Sequence, residues 1–167
     1  LSGDTLVTLP NDGPLVRWAE FSTDASVLIM RSNTGEAAVV AVTTGQELFR
    51  LPDVGWSELS PDGNLLAVVE WDGTLRLLDV DELGGVVAAG SEALEAATLW
   101  TVSAHGGFVP IIRFDANSSR ILTATFEEPV RVWEVATGER MGEFPMTFTA
   151  GSPRAEFHPT KNHIRVQ

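Results

Sequence analysis

Few side chains in this sequence could do chemistry. There are three histidines, His105, His158 and His163. His158 and His163 stand five residues apart across a turn, close enough to share a cation. No cysteine and no matching acidic motif supplies further ligands, so no metal site is expected. A nucleophile elbow and a phosphate-binding glycine loop are both absent, and no catalytic residue or cofactor is assigned. Two Asp-Gly pairs, Asp62-Gly63 and Asp72-Gly73, could hold carboxylates out to a ligand. A calcium loop needs more acidic ligands at alternate positions. These pairs, and Asp115-Ala116-Asn117, therefore read as turns in which the side chain bonds its own backbone.

Composition narrows the function classes. The chain has 167 residues, 44% hydrophobic and 20% charged, enough for a packed core and unlike a disordered segment. Against 23 Asp and Glu stand 11 Lys and Arg, a formal charge of −12. Such a surface repels phosphate backbones, so no nucleic-acid partner is expected. The charge reads as general solubility ahead of a dedicated acidic docking face. No apolar run is long enough to span a bilayer, and no membrane partner is expected. The lack of cysteine excludes disulfides and thiolate chemistry and fits any compartment. The sequence opens on Leu1 without a leader pattern, which suggests that processing or truncation removed what came before.

The elements that must position these residues repeat. RWAEFSTDAS (17–26), GWSELSPDGN (55–64), PIIRFDANSS (110–119) and SPRAEFHPTK (152–161) align so that Phe21, Leu59, Phe114 and Phe157 share one column. Their spacings of 38, 55 and 43 residues describe one supersecondary unit with one insertion. After each turn comes an aliphatic run, VLIM, LLAVV or ILTAT, and then a second turn, SNTG, EWDG or FEEP. A third run follows (AAVVAV, TLRLLDV, VRVWEV) and then a short outer run (QELFRL, ATLWTV, ERMGEF). Short runs bounded by turn residues are strands. They are apolar on both faces, so each sheet needs a neighbour on each side. Stacked four-stranded antiparallel sheets arranged radially make a β-propeller, which predicts an all-β fold.

Two stretches carry a family resemblance. LSPDGNLLAVVEWDGTLRLLDV (59–80) and HGGFVPIIRFDANSSRILTATFEEPVRVWEVATGE (105–139) resemble the signature of WD-repeat β-propellers. The usual Trp-Asp ending stands here as Trp133-Glu134, as Leu78-Asp79 in the second unit and as Val40-Ala41 in the first. The resemblance implies a structural polar network in the third unit, formed by His105, Thr123, Glu127 and Trp133. The second unit keeps only Asp72 of that set, and the first keeps none.

The resulting expectation is a partial propeller of about three and a half blades. Blades are placed at 14–51, 54–102 with an insertion at 81–96, and 108–144. Residues 1–9 are read as the outer strand of a preceding blade and 152–167 as a partial one. The loop-rich insertion contains SEALEAA, which suits one or two helical turns, and its role is left even between a surface excursion and a partner contact. Because NHIRVQ stops inside a second strand, the sequence reads as part of a larger, incomplete ring. Two copies completing one ring as a homodimer is the alternative.

Two columns bear on function. Immediately before the aligned apolar residue sit Glu20, Glu58, Arg113 and Glu156, facing the central channel. They could form an acidic ring for a cation or basic peptide. Pairing with arginines of adjacent blades, such as Arg17, Arg76, Arg131 or Arg154, is favoured because unpaired buried carboxylates are costly. The second column, in the turn after the second strand, holds Asn33, Trp71 and Phe126. The resemblance places that turn on the face most used for partners. Large aromatics there suit interface anchors, at even weight with inter-blade packing. Trp18 and Trp56 are read as core. The favoured function is a noncatalytic scaffold binding a protein or peptide, within a larger multidomain protein. The alternatives are a hydrolase with channel-facing acids, and self-assembly through open ends.

Overall fold

The computed structural model describes residues 15–22, 24–80, 91–145, 154–158 and 163–166. The expected outer strand at 4–9 and most of the 81–96 insertion lie outside these residues. Strands β1 (Val16–Phe21), β2 (Val27–Ser32), β3 (Ala37–Ala41) and β4 (Glu47–Leu51) form one antiparallel sheet in that order. The second sheet is β5 (Val54–Leu59), β6 (Leu65–Glu70), β7 (Thr74–Asp79) and β8 (Thr98–Ser103). Helix α1 (Ser91–Ala97) precedes β8. The third sheet is β9 (Ile111–Phe114), β10 (Arg120–Ala124), β11 (Val130–Glu134) and β12 (Arg140–Phe144). β13 (Ala155–Phe157) and β14 (Ile164–Val166) pair as a two-stranded sheet.

Among the described residues the elements are strands apart from α1, and the sheets do not close on one another. Phe21, Leu59, Phe114 and Phe157 end β1, β5, β9 and β13. β9 packs between β5 and β13, so the first strands line one side of the stack.

Side-chain alternation explains the stacking. In β6, Leu66 and Val68 face the first sheet with Ile29 and Val39, while Ala67 and Val69 face the third with Ile112 and Ile121. A third cluster, including Leu122, Ala124 and Val130, meets Ala155 of the last sheet. Strands buried on both faces lose the polar alternation of a half-solvated sheet.

The turns are built by their own side chains. Ser60 Oγ donates to Asp62 Oδ1 at 2.5 Å and accepts the Leu65 N–H at 2.9 Å. Ser22, Asp24 and Val27 repeat the arrangement, and in the third sheet Asp115 accepts the Ser119 and Arg120 amides. Asp72 Oδ1 accepts the Thr74 N–H at 2.9 Å, and Gly73 adopts φ 87°. Both Asp-Gly pairs are therefore turn chemistry. The Gly73 carbonyl also accepts the Ala104 and His105 amides, fastening this turn to the chain that enters the third sheet.

Gly73 admits no side chain. A Cβ there would lie 2.7 Å from the Gly107 carbonyl oxygen and closer still to that of His105. Gly107 itself has open space around it. Gly73→Ala is expected to cost at least about 2 kcal/mol, from left-handed strain plus the clash, while Gly107→Ala stays within about 0.5 kcal/mol. Urea unfolding midpoints of the two variants check this.

Candidate functional site

Three clusters were candidates, and the structure treats them differently. The first surrounds His105. Trp133 Nε1–H donates to Thr123 Oγ1 at 2.9 Å, and Thr123 Oγ1 lies 2.9 Å from His105 Nε2. His105 Nδ1 faces Glu128 Oε2 at 3.4 Å. A neutral imidazole protonated on Nδ1 faces Glu128 there and accepts the Thr123 hydroxyl at Nε2, while Arg131 Nη1, also 3.4 Å from Nδ1, is a donor and suits the other tautomer. Burial, reinforced by Arg131, holds the His105 pKa below its usual value and so favours the neutral form.

The acid of this cluster is Glu128 and not Glu127, a correction to the sequence reading. Glu127 is exposed, whereas Glu128 accepts the Gly106 amide at 2.8 Å and pairs with Arg131 at 3.0 Å. The register gives the reason. Thr123 opposes Arg131 as Val68 opposes Arg76, so Glu128 occupies the column of Gly73. Without a glycine there, and with Pro129 following, the third sheet cannot form the Asp-Gly turn. Thr125 Oγ1 instead accepts the Glu128 amide at 2.8 Å, and the second carboxylate of the pair faces His105.

The second cluster is the column before the aligned apolar residue. Glu58 pairs with Arg113 and accepts the Phe114 N–H at 3.2 Å. The Leu59 amide likewise draws on Glu20, so both carboxylates lean toward the backbone of the following sheet. Arg17, Arg76, Arg131 and Arg154 are not the partners: Glu58 pairs within its own column, and exposed Glu156 meets Arg165 of its own hairpin at 3.8 Å. Arg76 pairs with Glu70, and Arg131 with Glu128 and Glu143. Glu20 keeps one buried oxygen, Oε2, without a hydrogen-bond partner. Burial raises its pKa against the pull of Arg113 and Arg31. Among the described residues, no three His, Asp or Glu side chains converge as a cation site.

The third cluster is a groove of about 390 Å³ between the first two sheets, at the end where β1 and β5 begin. Its walls include Trp18, Arg31, Asn33, Trp56, Trp71 and Phe108. Trp71 stacks on Phe108, with centroids 5.0 Å apart, and its indole edge rests on Gly35 of the neighbouring turn. It is still 52% exposed. Inter-blade packing and exposure to the groove are therefore combined in one residue. Asn33 shares the groove, while Phe126, 53% exposed, repeats the Trp71 column one sheet further on and does not line it.

Trp18 and Trp56, read as core, are half-buried and serve as groove walls too. The Arg31 guanidinium lies over both rings, 4.6 Å from the Trp18 centroid and 4.0 Å from that of Trp56, while the two indoles meet each other at a tilt of 44° with centroids 6.4 Å apart. Arg31, Trp18, Trp56 and Phe108 were not singled out as binding residues. Arg31 was visible as a cation ending an apolar run, VLIMR, in the column of Val69 and Ala124.

Two outcomes follow. Thr123→Val strips Trp133 and His105 of their shared partner and is expected to cost about 2–4 kcal/mol, read by denaturant unfolding. Burial raises the Glu58 pKa to about 7, outweighing Arg113 and the Phe114 amide. The fold therefore favours the protonated carboxyl. Its contribution to stability is complete below the unfolded value of about 4.5 and is lost as pH rises through about 7. Stability measured from about pH 5 to pH 8 is expected to fall more in the native chain than in Glu58→Gln.

No protein-family model and no curated protein matches the chain. Solved structures do. The crystal structure of the RRP9 WD40 repeats is similar at TM-score 0.64 and 16% identity, over 81% of this chain and 40% of that one. The U3-55K structure is similar at TM-score 0.62 and 17% identity, over 82% and 41%. This chain thus spans about two fifths of the length of either. The computationally designed Ika4 protein is similar at TM-score 0.67 and 15% identity, over 99% of this chain and 98% of that one. Set beside the stacked four-stranded sheets, these likenesses show that the chain has the fold of the WD-repeat β-propellers.

Proposed function

We propose that this chain is a noncatalytic scaffold that binds a protein or peptide partner through the groove between its first two blades, as part of a larger protein. The observation that carries the reading is Trp71. A large aromatic held rigidly by Phe108 and Gly35, yet half exposed beside an apolar groove, has the character of an interface anchor. The fold shared with WD40-repeat structures supports a scaffold role by analogy alone. Peptide-display selection against the full chain, followed by calorimetry on the selected peptides, tests it. Trp71→Ala is expected to weaken binding at least about tenfold, with Phe126→Ala close to native because Phe126 stands outside the groove. Selected peptides that bind Trp71→Ala as tightly as the native chain would overturn the reading.

One observation favours a second reading, completion of the ring by a further blade or a second copy. Phe21 is 58% exposed, whereas Leu59 and Phe114 in the same column are buried behind the glutamate of the preceding sheet. Glu156, in the column of Glu20 and Glu58, is exposed and pairs with Arg165 of its own hairpin instead of reaching a following sheet. A concentration-dependent doubling of mass in analytical ultracentrifugation, lost in Phe21→Glu, is the expected result for copies that pair. A constant monomer mass excludes that pairing.

A further inference from the structure

Resting on the groove reading above, we propose that the partner segment is acidic. A peptide carboxylate is received by Arg31 and Arg17, beside an apolar side chain seated on Trp71 and Phe108. The chain carries 23 acidic residues against 11 basic ones, yet the groove reverses that balance. Among the described residues its lining includes two arginines and no carboxylate; the remainder is aromatic, aliphatic or small and polar. A cationic pocket on an anionic protein focuses an anionic ligand and repels a basic one.

Arg31 is the central feature. Its column holds Val69 and Ala124 in the other sheets, so packing between blades calls for a small apolar residue there. A guanidinium stands in that place, 8% exposed, flanked by Trp18 and Trp56. Its Nη1 donates to the Gly55 carbonyl at 3.1 Å, but Nε has no partner. Arg31 makes no ion pair among the described residues; Glu20 attracts it only at longer range, and burial acts against its charge. A buried cation without an anion is costly. An incoming carboxylate supplies the missing charge, and the planar guanidinium suits it geometrically. The protein's own cation already lies over both indoles, which argues against a cationic ligand on those faces.

The test uses fluorescent peptides with a central Phe-Leu pair flanked by glutamates, and counterparts with glutamine or lysine in those places. The glutamate peptide is expected to bind the full chain at least about tenfold tighter than the glutamine peptide at low salt, with the margin shrinking as salt is raised. The lysine peptide should bind more weakly than either. Arg17→Gln, at an exposed position, should reduce the glutamate preference while leaving the glutamine peptide unaffected. Arg31→Met, which keeps an apolar side chain against the indoles, should abolish the preference. If Arg31→Met does not fold, by circular dichroism, Arg17→Gln and the charge reversal Arg17→Glu decide the matter. Equal binding of glutamate and glutamine peptides, both lost in Trp71→Ala, overturns the acidic partner while the groove stands. Glutamate-peptide binding untouched by Trp71→Ala and Phe108→Ala overturns the groove itself. Failure of every peptide to bind overturns the proposal, as does preferential binding of a single-stranded oligouridylate.

Discussion

The second sheet of this protein is apolar on both faces, and that constraint governs the rest of the structure. A four-stranded sheet with Leu66 and Val68 on one side and Ala67 and Val69 on the other cannot be stable in water alone. Its partners are the sheets before and after it, so the unit of stability is the pair of blades. Apolar burial has no direction of its own, and the polar contacts set how each pair meets. Glu20 and Glu58 reach to the backbone amides of the following sheet, while Gly73 reaches with its carbonyl to the chain entering the third.

The blade-to-blade seams are not equivalent. Between the second and third sheets, Trp133, Thr123 and His105 form a closed chain of hydrogen bonds ending at Glu128. Among the described residues, the seam between the first and second sheets has no such network. Arg31 and two indoles stand there, and the seam opens into a groove at one end. A satisfied polar network rigidifies a seam. Where a charged group lacks its counter-ion, the same stacking leaves room for a ligand.

The strand order was legible because the repeat places equivalent residues in one register. Phe21, Leu59, Phe114 and Phe157 could be aligned on their turns alone, and each ends a first strand. Trp71 could be singled out because an aromatic before an Asp-Gly turn has no local reason to be there. Glu128 could not be distinguished from its neighbour, since the choice depends on a turn path that only the absence of a left-handed glycine redirects. Nor could the arginine partners of the glutamate column be named. Column membership says that two residues occupy equivalent places in different sheets, not that their side chains touch.

What the sequence determined by itself was periodic: strand lengths, turn chemistry, the stacking of sheets, and a poverty of catalytic side chains. Those properties are local, set by backbone preferences and by which residues tolerate water. What the tertiary structure alone decided was which side chains meet across a seam. Arg31 and Trp56 lie in different sheets, 25 positions apart in the chain, and come into contact, guanidinium over ring, only when two blades stack. Contacts of that kind arise from the rotation of one sheet against the next, and no pattern within a single blade encodes it.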